Sequence, residues 1–173
     1  LVRRTTPAPR TFKSSLRLEE LEPRQVPATI IVNDTGDTVA VDGKITLREA
    51  IESINTGANV NADINVAGYG TNDTVDFGIG GAGVKLIEPA NSLTLSRKVV
   101  INGYSQNGAS ANTKALDAGN DAALMIEIRA KTGVANGFVV SASDCTVRGL
   151  SIVRFVAAGV FRPHGWKPGH ADL

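Results

Sequence analysis

Cysteine occurs once in 173 residues and histidine twice. The single thiol, Cys145, excludes an internal disulfide framework and a CxxC metal knuckle. Both histidines, His164 and His170, stand among the last ten residues, which excludes histidine-dependent catalysis and His-rich metal sites from the body of the chain. Aromatic residues make up only 5%, against eighteen glycines, so packing is aliphatic and turns are tight. No sign of charge dominates: 18 basic and 17 acidic side chains leave a net charge of +1, which removes any whole-chain argument for nucleic acid or an anionic membrane. No run approaches the roughly 18 apolar residues of a membrane-spanning helix. What is present, 42% hydrophobic and 20% charged residues, suffices for the core of one ordinary domain and argues against global disorder.

The near-neutral total hides a segregation. Residues 1–28 carry six basic against three acidic groups, residues 29–128 six against twelve, and residues 129–173 six against two. A basic leader over residues 1–28 therefore precedes an acidic body. Its Pro, Thr and Ser content reads as a solvated, disordered arm. Arg3-Arg4 matches a twin-arginine start only loosely, because no apolar stretch follows. The body spans residues 29–160. Residues 161–173 fit no pattern, and with the leading Leu they suggest a truncated or frameshifted copy, or one piece of a longer protein.

From Thr29 onward, short apolar runs alternate with Gly, Asn and Asp. The spacing predicts strands over 29–33, 39–41, 74–77, 84–87, 93–95, 98–102, 124–129, 137–140 and 145–155, the last broken at Gly149. One amphipathic helix is predicted near residues 47–55. Leu47, Ala50, Ile51 and Ile54 recur at helical period, and Thr46 with Glu49 forms a capping box. Ile101, Ile126, Val147 and the run ending at Val160 suggest a repeat of 25 and then 21 residues, within the range of stacked-coil proteins. In such a stack each coil buries its neighbour's inward face. The pairs Asn102-Gly103, Asn107-Gly108 and Asn136-Gly137 suit two-residue hairpin turns, which keeps an antiparallel sandwich as the alternative.

These strings resemble a known family. GKITLREAI (residues 43–51) resembles the CSLREAI signature near the start of bacterial extracellular right-handed parallel β-helix proteins. DTVDF (73–77) is similar to the strand that follows it there. VVINGYSQNGA (99–109) and CTVRGLSI (145–152) are similar to their coils. LEELEPRQVPA (18–28) resembles the leader of many large bacterial surface proteins. The resemblance spans residues 16–160 and implies an all-β fold: the N-terminal portion of a right-handed parallel β-helix solenoid, whose first coil is covered by the capping helix. Ile45 stands where the signature has Cys, so no cysteine role carries over. The absence of a second cap predicts an open strand edge near residues 145–160 and self-association through it.

Motifs that look chemical have simpler explanations. Gly78-Ile79-Gly80-Gly81-Ala82-Gly83 matches G-x-G-x-x-G, but a strand rather than an anion-binding helix follows it, so it is a turn. Its overlap with the calcium nonapeptide G-G-x-G-x-D places Lys85 at the ligand aspartate. Asp34, Asp37 and Asp42 could offer oxygens to calcium but suit turns better. Asp144, Arg148 and Arg154 are the candidates for lyase chemistry and are not clustered with further carboxylates. Cys145 reads as a small buried hydrophobe. Asn33-Asp34-Thr35 and Asn72-Asp73-Thr74 fit the glycosylation sequon. No catalytic, cofactor or metal residue is assigned. The expected function is a non-enzymatic surface or secreted protein of structural, adhesive or glycan-binding use, at the bacterial cell surface or extracellular. The expected partners are polysaccharide or cell-surface components rather than nucleic acid, with no membrane span. The alternative is a fragment of a carbohydrate-active β-helix enzyme, a polysaccharide lyase or hydrolase, that lacks its catalytic coils.

Overall fold

A computed structural model describes residues 27–115 and 117–163. The basic leader up to residue 26 and the tail from residue 164, with both histidines, lie outside the described residues. The described chain runs β1 (Thr29–Val32), α1 (Leu47–Thr56), β2 (Asp73–Phe77), β3 (Lys85–Ile87), β4 (Leu93–Leu95) and β5 (Val99–Asn102). A single 3-10 turn (Gly103–Ser105) then leads to β6 (Ile126–Arg129), β7 (Asn136–Val140), β8 (Thr146–Arg148), β9 (Leu150–Val153) and β10 (Ala158–Phe161).

The strands form where apolar and polar residues alternate, because that period places every second side chain on one face. In β2, Asp73, Val75 and Phe77 point inward while Thr74 and Asp76 stay half-exposed. In β4, Leu93 and Leu95 are buried around an outward Thr94. Three sheets result, a four-stranded one in the order β1-β2-β5-β8 and two of three strands, β3-β6-β9 and β4-β7-β10. Every ladder in them is parallel. Ile30, Val75, Ile101, Ile87, Ile126, Leu95 and Phe138 from the three sheets join one hydrophobic core with Leu47, Ile51 and Ile54 of the helix.

The expectation of an all-β right-handed parallel β-helix is corrected by this arrangement. The described residues make three short parallel sheets of ten strands together with one helix, a mixed, α/β-like organisation, and no solenoid is shown. The repeat that suggested a solenoid fails in register. Ile101 and Ile126 belong to different sheets, and Ile101 pairs with Val147 instead. Ile126 pairs with Leu150. Along the four-stranded sheet, Thr29 meets Thr74, Val75 meets Ile101 and Ile101 meets Val147, offsets of 45, 26 and 46 residues with no constant period. The irregular segment 57–72 and the long excursion 106–125 break any even spacing. The antiparallel alternative is also overturned, since the antiparallel contact among the described residues is the isolated bridge Ser110–Ala123.

Helix α1 forms as its pattern predicts. The Thr46 hydroxyl accepts the Glu49 N–H at 3.3 Å and the Glu49 carboxylate accepts the Thr46 N–H at 2.8 Å. Two of the amide donors that a helix start leaves unpaired are thereby satisfied. Gly57 ends the helix at φ +72, a left-handed geometry suited to glycine, and its N–H donates to Ser53 and Ile54 carbonyls. Leu47, Ala50, Ile51 and Ile54 are all buried, and the helix packs against β1, β2 and β4.

Segment 39–41 forms no strand, contrary to its β-branched composition. Its backbone is held by side chains instead, with the Ala40 N–H donating to Glu49 and the Ala40 carbonyl accepting from Asn61.

Candidate functional site

The outer face of the four-stranded sheet carries a hydrogen-bonded row of polar side chains. Register places Ile31, Asp76, Asn102 and Arg148 side by side on β1, β2, β5 and β8. The Asn102 carboxamide donates to Asp76 Oδ1 at 2.9 Å and accepts from Arg148 Nε at 3.0 Å. A carboxylate and a guanidinium on alternate strands are thus bridged by an amide, the cross-strand pairing that holds outward side chains in place. The adjacent row is Thr29, Thr74, Val100 and Thr146. Below Asn102 the backbone turns sharply. A Cβ on Gly103 would stand 2.1 Å from the Gly149 carbonyl oxygen, so this turn and the break between β8 and β9 can touch only through glycine.

A shallow cleft of about 160 Å³ lies between α1 and β4, lined by Arg48, Ile51, Glu52, Asn55, Ser92 and Thr94 among others. Its strongest polar groups are committed to the fold. Arg48 makes a two-pronged ion pair with Asp37, each N···O distance 3.0 Å, and also donates to the Asn91 carbonyl. Asn55 donates to the Thr94 carbonyl at 2.7 Å and accepts the Ser96 N–H at 2.9 Å. Its carboxamide therefore takes the place of a neighbouring strand along the outer edge of β4. Gln106, buried under the glycine-rich turn, does the same for Ile79, whose N–H and carbonyl it meets at 2.9 and 2.8 Å.

No protein-family model, curated protein or solved structure matches this chain. What the site can do therefore rests on its own geometry.

The structure disperses the residues that could have carried metal or cleavage chemistry. Asp34 accepts from the Gly36 N–H and lies 3.2 Å from the Lys44 ammonium, and that backbone donor above all lowers its carboxyl below the usual range. Asp37 is bound by Arg48 and the Ala90 N–H, and Asp42 accepts from Lys44 N–H. Among the described residues no three His, Cys, Asp or Glu side chains converge as a metal group would. The glycine-rich turn is followed by β3, and the Lys85 ammonium lies on the Gly81 and Ala82 carbonyls at 2.7 and 3.0 Å. A cation already occupies those oxygens. Asp144 and Arg154 both adopt left-handed backbone geometry at φ 56 and 64, and Arg148 engages Asn102. Asn33 Oδ1 accepts the Ile45 N–H, while Asn72 is exposed ahead of the buried Asp73. Among the described residues no helix is long and apolar enough to cross a membrane.

Cys145 is half-buried, with Sγ 3.4 Å from the Arg97 carbonyl, and burial pushes its thiol above the ordinary value. The thiolate is the reactive form. Native Cys145 is therefore expected to react with an aromatic disulfide reagent at pH 8 about tenfold more slowly than in the unfolded chain. Equal rates would show a freely ionising thiol. A pKa raised on folding also gives the sign of linkage: the contribution to stability is whole below the unfolded value and lost as pH rises through the folded one.

The polar row was missed in the sequence because its members are 26 and 46 residues apart. The available signal was parity. Asp76, Asn102 and Arg148 each sit one residue after an inward apolar side chain in a short β-branched run.

Proposed function

We propose that the protein is a non-enzymatic surface or secreted protein with a structural or adhesive role, and that it binds polysaccharide through the Asp76–Asn102–Arg148 row. The observation that carries this reading is the row itself, fixed by two side-chain hydrogen bonds on an outward sheet face. Those bonds use one oxygen of Asp76 and one nitrogen of Arg148. The second carboxylate oxygen and the terminal guanidinium nitrogens remain as acceptor and donors for sugar hydroxyls, which need both. The likeness of residues 43–51 and 18–28 to motifs of bacterial extracellular and surface proteins supports the location. The open strand edges of β8, β9 and β10 support self-association as part of the same structural role.

The test is a glycan array probed with the full chain, followed by titration of the best polysaccharide. Asp76→Ala and Asn102→Ala are each expected to weaken binding by about tenfold, the loss of one to two net hydrogen bonds. Val84→Ala, at an exposed side chain on another part of the surface, should leave it unchanged. Binding that is indifferent to both row variants would overturn the site. Cleavage of a polyuronate by the full chain would overturn the non-enzymatic reading.

A further inference from the structure

The two ends of the three sheets differ. At one end the terminal strands are β1, β3 and β4, with α1 packed against β1 and β4 and Asn55 sealing the edge of β4. At the other end the terminal strands are β8, β9 and β10, each with a neighbour on one side only. Their core side chains are correspondingly less covered. Val147, Leu150, Ile152 and Phe155 are only partly buried, whereas Ile101, Ile126 and Ile128, on the strands that β8 and β9 flank, are fully buried.

Three properties of the ends are complementary. The open end (residues 144–163) carries Arg148, Arg154 and Arg162 against Asp144, a net of +2, while residues 29–66 at the helix end carry, apart from the buried Glu49, five acidic against two basic groups, a net of −3. Exposed apolar side chains also cluster at the two ends: Val156, Val160 and Phe161 at the open one, Ile31, Val39 and Val41 at the other. Finally, β1 and β8 bound the same sheet and run parallel, so β8 of one copy can extend onto β1 of another without changing strand direction.

We infer that the open end of one copy docks on the α1 end of a second copy, so that chains join head to tail. This rests on the self-association proposed above and names the other half of the contact. An open end meeting another open end would bring together two faces of net +2. Because the joined surfaces are different, the contact does not close on itself and repeats into linear oligomers. Asp76 and Asn102 lie on interior strands, whereas Arg148, the third member of the polar row, stands on β8 beside the contact.

Sedimentation velocity on the full chain over a wide concentration range tests this. At about 10 mM salt the mean mass should climb past that of a dimer, and at about 1 M salt, where the Debye length falls from roughly 30 to 3 Å, association should weaken. Val160→Glu and Val41→Lys, at side chains 48% and 70% exposed, should each weaken association at least about tenfold. An equimolar mixture of the two retains one good open end and one good helix end, so it should form a 1:1 pair and stop there, which also shows that both variants are folded. A dimer that persists in Val41→Lys alone, or one that strengthens with salt, overturns the head-to-tail contact while leaving self-association intact. A monomer at every concentration overturns both.

Discussion

Replacing Phe138 by alanine is expected to lower the free energy of unfolding by about 3–5 kcal/mol, the range for truncating a fully buried aromatic side chain. Phe138 is 0% exposed and sits on β7, the middle strand of its sheet, in register with Leu93 on one side and Val160 on the other. Both neighbouring strands are laddered to β7, which holds Leu93 and Val160 in register and limits how far they can move into the space left behind. A domain of this size has a total stability of about 5–15 kcal/mol, so the loss is a large fraction of the whole. Urea denaturation followed by far-ultraviolet circular dichroism measures it. Val84→Ala, at an exposed site, should shift the same curve by less than about 0.5 kcal/mol. A Phe138→Ala variant within 1 kcal/mol of the parent would show that this part of the core is not close-packed.

Glu49→Ala should cost about 3 kcal/mol, far beyond the roughly 1 kcal/mol of an ordinary helix-cap deletion. The Glu49 carboxylate is 1% exposed and receives the Thr46 N–H at 2.8 Å, the Ala40 N–H at 3.0 Å and the Asn61 amide at 2.6 Å. Its removal leaves three donors without their acceptor and frees segment 39–41 from the helix. Glu49→Gln keeps the shape but presents an NH₂ group to some of the same donors, so a smaller loss of about 1–2 kcal/mol is expected. The two variants compared by urea denaturation separate the roles. Equal, small losses in both would reduce Glu49 to a simple cap.

The contrast between Glu49 and Phe138 also shows what one-dimensional pattern conveys. The capping box and the spacing of Leu47, Ala50, Ile51 and Ile54 are local, so α1 was legible almost to the residue. Most strands were legible for the same reason, since alternation is written along the chain. Their partners were not. Ile101, Ile126 and Val147 look alike as apolar residues in short β-branched runs, yet only the first and third meet. Parallel pairing gives no hairpin turn to mark the register, and the long segments between partners carry no length constraint. Residues 39–41 look like a strand but are held by Glu49 and Asn61 instead. The row of Asp76, Asn102 and Arg148 was illegible for the deeper reason that it exists only once two ladders are in register.

The parallel ladders leave a mark on how the chain reaches its native state. The shortest of the pairings, Phe138 with Val160, closes a loop of 22 residues, and the others reach as far as 46. No sheet contact can form between immediate sequence neighbours, so each must meet the entropy of loop closure before any ladder rewards it. The backbone–backbone hydrogen bonds of helix α1 are all local. Refolding accordingly belongs to the slow class of non-local topologies, and α1 with its capping box is the part of the chain able to organise before any strand has found its neighbour.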